Sequence, residues 1–118
     1  MARKVLIVDD TAVDRSNLEK IVSAAGHMTL LAESGAQGLE RAKREKPDLI
    51  LMDVNMPGMD GFAATRALKA DEATKHIPVV FVTGKNQKAD MAWGQMLGAK
   101  GYVTKPYSAE QIVAQLNA

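Results

Sequence analysis

The chain has 118 residues, a length that fits one compact domain. Hydrophobic residues make up 47%, charged residues 25%, and the formal net charge is +1, so charge points to neither a nucleic-acid nor a membrane surface. The absence of cysteine excludes disulfides, zinc–thiolate centres and cysteine nucleophiles; His27 and His76 are too isolated for a metal cluster and read as surface residues.

The basic start Met1-Ala2-Arg3-Lys4 leads into Val5-Leu6-Ile7-Val8, a β-branched run that reads as a strand buried on both faces. That run stops at Asp9-Asp10, short of the roughly 7–15 apolar residues of a secretory leader. No stretch approaches the ~20 apolar residues of a membrane span. A cytoplasmic protein without membrane insertion is therefore expected.

Leu18, Ile21, Val22 and Ala25 then recur at helical spacing as one core face, with Gly26 placed as a C-terminal cap. Residues 28–32 read as a second strand and residues 35–45 as a helix that Pro47 prevents from continuing. Residues 49–52 form a third strand, closed by Asp53, and Asn55-Met56-Pro57-Gly58 is a loop by composition. A helix over 60–69 follows, with Phe62, Thr65 and Leu68–Lys69 at helical spacing, and then a fourth strand over 78–82. The next helix covers 87–97, with Ala89, Ala92, Trp93, Met96 and Leu97 on one side and Gly98 at its end. A short strand over 101–104 and a last helix over 108–116 complete the chain, with Ser108 as N-cap and Ile112, Val113 and Leu116 inward.

Strand and helix thus alternate five times. Continuous apolar strands between amphipathic helices predict an α/β doubly wound parallel sheet covered on both faces. Sites in such folds lie at the carboxyl ends of the strands.

Those ends carry Asp9-Asp10, Asp53, Thr83-Gly84 and Thr104-Lys105-Pro106. Two carboxylates about 4 Å apart repel by roughly 4 kcal/mol at an effective dielectric of about 20. Lys105 alone does not offset three of them. A hard dication with oxygen ligands does, and magnesium suits a few carboxylates plus waters and a phosphate. Asp10 and Asp53 are the expected direct ligands, with a backbone carbonyl near Asn55 as a third and Asp9 acting through water. Asp53 would then be the nucleophile in phosphoryl transfer, with Lys105 and the metal neutralising developing charge. Thr83 would bond the attached phosphate, and Gly84 would leave room for it.

Each residue taken alone has a plainer reading. Asp10 could cap the helix that begins near Thr11, Thr83 could end a strand in a turn, and Lys105 could be a surface lysine. Their joint occurrence at four strand ends favours a site.

These motifs, Val8-Asp9-Asp10, the run from Met52-Asp53 to Asp60-Gly61, Val82-Thr83-Gly84 and Thr104-Lys105-Pro106, resemble those of bacterial response-regulator receiver domains of the single-domain, CheY-like kind. The resemblance spans residues 1–118. It implies a flavodoxin-like sheet in the order 2-1-3-4-5, a cis Lys105–Pro106 peptide and phosphotransfer to Asp53 from a phosphohistidine on a sensor histidine kinase. It also implies a switch in which Thr83 moves toward the phosphate and Tyr102 turns into the vacated space, the alternative being that Tyr102 is an ordinary half-buried aromatic.

Lys85 and Asn55 are expected to flank the entry to the phosphate and to bear on its lifetime. Tyr107 either enlarges an aromatic surface with Tyr102 or simply packs. With no output domain in the sequence, output is expected through contact with a downstream protein or as a phosphate sink. The expected partner surface is the fourth helix, fifth strand and fifth helix, and the chain a monomer or weak phosphorylation-dependent dimer. Trp93 reads first as a core-edge aromatic against Leu97, with a partner anchor as the other reading. Gly94 weakens that helix by about 1 kcal/mol relative to Ala, which suits remodelling.

The stretch from Trp93 to Lys100, with Lys85, resembles the PilH-like regulators of type IV pilus twitching motility. Two enzyme-like alternatives fit less well. A haloacid-dehalogenase-type phosphatase wants a second Asp two residues after its nucleophile, but Thr11 and Asn55 stand there. A Rossmann domain wants a glycine fingerprint where Asp9-Asp10-Thr11-Ala12 stands. A phosphorylation-independent adaptor is disfavoured by the intact residue set.

Overall fold

The computed structural model describes residues 2–117, so the expected domain limits Met1 and Ala118 lie outside the described residues. Five strands and five helices alternate: β1 (Lys4–Val8), α1 (Ala12–Ala24), β2 (Met28–Ala32), α2 (Gly35–Glu45), β3 (Leu49–Met52), α3 (Gly61–Ala70), β4 (Val79–Thr83), α4 (Lys88–Met96), β5 (Gly101–Thr104) and α5 (Ala109–Asn117). All strand pairs are parallel, in the order β2-β1-β3-β4-β5. Among the described residues, no helix is long and apolar enough to cross a membrane.

Every residue of β3 and β4 is buried, because helices cover both faces and both side-chain directions must be apolar. The period-two alternation of the strands splits the core in two. Leu6, Val8, Ile50, Met52, Val79 and Phe81 pack with Ala42 of α2 and Ala64 and Leu68 of α3. Val5, Ile7, Leu49, Leu51, Val80, Val82 and Val103 pack with Leu18 and Val22 of α1 and Ile112 and Leu116 of α5.

Local chemistry sets the helix ends. α1 closes in a Schellman motif: Gly26 lies at φ +90°, its N–H donates to the Ser23 carbonyl at 3.0 Å, and the His27 N–H donates to Val22 at 3.3 Å. Ser34 accepts from the Gln37 N–H, Asp60 from the Ala63 N–H and Ser108 from the Gln111 N–H. His27 is half-buried and its Nδ1 accepts from the Arg3 N–H at 3.0 Å, so only His76 is the surface histidine expected of both.

Two inward assignments fail. Ala25 is exposed, because α1 has already reached its cap there. On α4 the expected apolar side faces solvent: Ala89, Ala92, Trp93 and Met96 are exposed, Met96 by 77%. Gly94 is the buried residue of α4. A Cβ there would come within 3.1 Å of both the Phe81 and Tyr102 rings, so the helix backbone itself rests on the sheet. The glycine thus serves close approach, and its helix-weakening cost is the consequence.

A second close approach lies at Gly61, the first residue of α3. A Cβ there would collide with the backbone carbonyl of Asp53, a contact no side-chain rotation relieves. A Cβ at Gly84 meets open space. Gly61→Ala is expected to cost about 2–3 kcal/mol in urea denaturation, and Gly84→Ala within about 0.5 kcal/mol.

Candidate phosphoacceptor site

Backbone ladders place the functional groups on one edge of the sheet. The Asp9 N–H donates to Ala32 at 3.1 Å, Asp53 N–H to Val8 at 2.9 Å and Lys105 N–H to Thr83 at 2.8 Å. Each residue therefore continues the ladder one position past the end of its strand. Thr83 itself stands opposite Thr104. The parallel register thus gathers groups from β1, β3, β4 and β5.

Lys105 Nζ is the hub. It donates to Asp9 Oδ2 at 2.9 Å, Asp53 Oδ2 at 3.0 Å and Asp14 Oδ2 at 2.9 Å. The other oxygens of the two buried acids take backbone donors: Asp9 Oδ1 accepts from Thr11 N–H at 2.9 Å, and Asp53 Oδ1 from Asn55 N–H at 3.2 Å. Asp9 is fully buried and Asp53 6% exposed, whereas Asp10 is exposed. The Lys105–Pro106 peptide is cis.

Asp10 does not cap α1; Thr11 is the N-cap residue and makes no side-chain cap bond. Carboxylate oxygens of Asp9, Asp10 and Asp53 lie within 4.8 Å of one another. Magnesium–oxygen distances of about 2.1 Å put opposed ligands about 4 Å apart, so this hard, all-oxygen set fits magnesium with little movement. Arg15 Nη1 donates to the Asp9 backbone carbonyl at 2.7 Å.

Thr83 is fully buried, and its Oγ1 accepts from the Lys85 N–H at 3.3 Å. Tyr102 is half-buried; its ring lies 5.8 Å from Phe81 and its hydroxyl donates to the Lys85 carbonyl at 2.6 Å. Burial first, then the nearby Asp90 and Asp53 charges, push the Tyr102 phenol up to about 12. Thr83 and Tyr102 therefore hold the same residue, Lys85, from its two backbone sides. The Lys85 ammonium lies 3.5 Å from Asp90.

The candidate aromatic surface does not assemble as one patch. Tyr102 packs with the α2–α3 side of the sheet, whereas Tyr107 packs with the α1–α5 side, where its hydroxyl accepts from Asn17 Nδ2 at 3.1 Å. Trp93 is 37% exposed, with the Arg66 guanidinium 5.4 Å from its ring centroid.

Asp14 went unrecognised in the sequence. An acid in the first turn of a helix ordinarily complements the helix dipole, so nothing local marks it as part of a site. Its partner Lys105 is 91 positions away.

The chain belongs to the response regulator receiver domain family, which residues 5–117 match. It is 46% identical to Protein PilH of Pseudomonas aeruginosa over all of this chain and 97% of that relative. It is 38% identical to the response regulator PleD of Caulobacter vibrioides, of whose length it spans 26%. It superimposes on the chemotaxis protein CheY4 of Vibrio cholerae with a TM-score of 0.92 at 30% identity, covering 99% of this chain and 98% of that one. The receiver domain of a sensor histidine kinase from Pseudomonas aeruginosa, at a TM-score of 0.90 and 27% identity over 99% of this chain and 96% of that one, has a magnesium ion coordinated in its active-site cleft.

Burial raises the Asp9 carboxyl above its usual 3.8, against the hydrogen bonds from Lys105 and Thr11. For Lys105, burial opposes the charge, but the bonds to Asp14, Asp9 and Asp53 outweigh it and hold the ammonium well above its ordinary range. An acid raised on folding favours the folded state while protonated, and that benefit disappears as pH rises through the folded value. At pH 7 the Asp9 charge is thus a cost. In magnesium-free protein, Asp9→Asn is expected to raise unfolding stability at pH 7 by about 1 kcal/mol, with the difference closing as pH falls toward about 4. Chemical denaturation across pH measures it.

Proposed function

We propose that this chain is a phosphorylation-switched binding module of a two-component phosphorelay, with Asp53 as the phosphoacceptor. The observation that carries this is the gathering of Asp9, Asp10, Asp53, Thr83 and Lys105 at the ends of four strands, with Lys105 bonded to Asp53. The donor is a phosphohistidine on a sensor histidine kinase. An Asp53 carboxylate oxygen forms a bond to phosphorus while the phosphorus–nitrogen bond breaks, and the imidazole nitrogen leaves with the electron pair.

Lys105 exchanges its bond to Asp53 Oδ2 for one to a phosphoryl oxygen. The Thr83 oxygen already accepts from Lys85, which leaves the hydroxyl proton to be donated to the phosphoryl group. Open space at Gly84 admits that group. Asp10 and Asp53 would hold magnesium directly, the backbone carbonyl of Asn55 would be a third ligand, and Asp9 would act through water. When bound, the ion supplies positive charge beside the transferring phosphoryl oxygens.

The readout runs from Thr83 through Lys85 to Tyr102. Movement of Thr83 toward the phosphate shifts the Lys85 backbone that Tyr102 grips, and the Tyr102 ring lies against Gly94 of α4. The exposed Met91, Trp93 and Met96 on α4 make it the surface that a downstream protein contacts. The likeness to PilH and to a chemotaxis regulator supports motility control of the twitching or chemotaxis-like kind.

Acetyl phosphate with magnesium should add the mass of one phosphoryl group, and neither Asp53→Asn nor magnesium-free protein should gain it. Absence of the gain in magnesium-loaded wild type overturns the reading, and turnover of free phosphoesters would favour a phosphatase instead. Trp93, the one tryptophan, should report the switch by a change in emission that tracks the mass gain. Tyr102→Ala should abolish that emission change while leaving the phosphorylation rate within about twofold, a difference below about 0.5 kcal/mol.

A further inference from the structure

We propose that Asp14 is a positioning residue acting through Lys105: it draws the ammonium toward α1 and slows phosphorylation of Asp53. The inference rests on the reading of Asp53 as the phosphoacceptor and concerns how fast that group is modified.

A lysine has three N–H donors, and Lys105 spends one each on Asp9, Asp14 and Asp53. The three acceptors differ in what they contribute. Asp9 is an anchor: its side chain is 1% exposed, and its other oxygen is held by the Thr11 backbone. Asp53 supplies the oxygen that bonds to phosphorus, and its hydrogen bond from Lys105 is the one given up to a phosphoryl oxygen. Asp14 is 39% exposed and belongs to neither role. Its carboxylate keeps one donor pointed toward α1, away from the reacting oxygen.

A second tie reinforces the first. One turn along α1, Asn17 Nδ2 donates to the Tyr107 hydroxyl, so helix and loop are joined on both sides of Pro106. Asp14, Asn17, Lys105, Pro106 and Tyr107 line a crevice of about 340 Å³ there, so the Asp14–Lys105 pair stands at a solvent-reachable edge.

Two effects share one sign. During transfer from acetyl phosphate, an Asp53 oxygen bonds to phosphorus as the bond to the acetate oxygen breaks, and acetate leaves with the electron pair. The transferring group needs Lys105 donors, and Asp14 competes for them. The same group is anionic, and Asp14 adds a negative charge close to where it must sit. Orientation of Lys105 does not require Asp14, because the buried Asp9 retains it.

The test is the initial rate of phosphorylation by acetyl phosphate at saturating magnesium, followed by intact mass. Asp14→Asn should raise the rate roughly fivefold, the scale of about 1 kcal/mol of relieved charge interaction at a half-exposed site. Asp14→Glu, which keeps the carboxylate, should return it to within about twofold of wild type, and Glu72→Gln, a charge removal at a residue 88% exposed and bonded to Lys75, should leave it unchanged. Damage to the fold lowers the rate, so a rise is not a folding artefact and reports removal of the Asp14 carboxylate; Asp14→Ser serves if Asp14→Asn does not fold. An unchanged or lower rate in Asp14→Asn or Asp14→Ser, with wild type phosphorylated, overturns the role of Asp14 and leaves Asp53 standing. An equal rise in Asp14→Glu also overturns it. Wild type that takes no phosphoryl group overturns both readings.

Discussion

One ammonium set among carboxylates is the interaction on which the site depends. Asp9 and Asp53 come from neighbouring parallel strands, and the Asp53 N–H donates to the carbonyl of Val8, the residue before Asp9. Two buried like charges so placed are unfavourable without a cation. Lys105 reaches both from β5, beyond the whole width of β4, and Asp14 meets the same ammonium from α1. Four carboxylates with Asp10 still outnumber the one lysine, so the pocket retains a negative charge suited to a divalent cation. The same crowding leaves the electrostatics of the pocket sensitive to a bound cation.

The fold holds this arrangement by backbone contacts rather than by side-chain packing alone. The ladder continues past β1, β3 and β5 into Asp9, Asp53 and Lys105, so the acids and the lysine inherit the rigidity of the sheet. Gly61 lets α3 begin directly against the Asp53 carbonyl, and Gly38 brings α2 so close to Val8 that a Cβ would lie 2.8 Å from its Cγ2. The walls of the pocket are therefore stiff where Asp53 is held.

The β4–α4 side is built differently. α4 buries a glycine and exposes Met91, Trp93 and Met96, so little apolar area holds it to the sheet. Its link to the site is the Lys85 backbone, gripped by Thr83 through the N–H and by Tyr102 through the carbonyl. Asp53 fixed in the sheet beside a lightly held helix is the arrangement on which the proposed Thr83 switch rests.

The alternation of strands and helices, their approximate limits, and the alignment of Asp9, Asp10, Asp53, Thr83 and Lys105 at strand ends were all legible in the sequence. Buried parallel strands must be apolar on both faces, and polar residues that close such runs mark the edge where sites form. The strand order itself came from the family resemblance. What the residues alone could not reveal was which side of α4 faces the sheet: apolar periodicity suggested Trp93 and Met96, but close approach at Gly94 turned them to solvent. Nor could they reveal that Tyr102 and Tyr107 pack on opposite faces, or that Asp14 shares Lys105 with Asp53. Periodicity ranks the residues along one element, whereas these outcomes depend on the distance between elements. Only the packed sheet sets the few ångströms between α1 and the loop after β5.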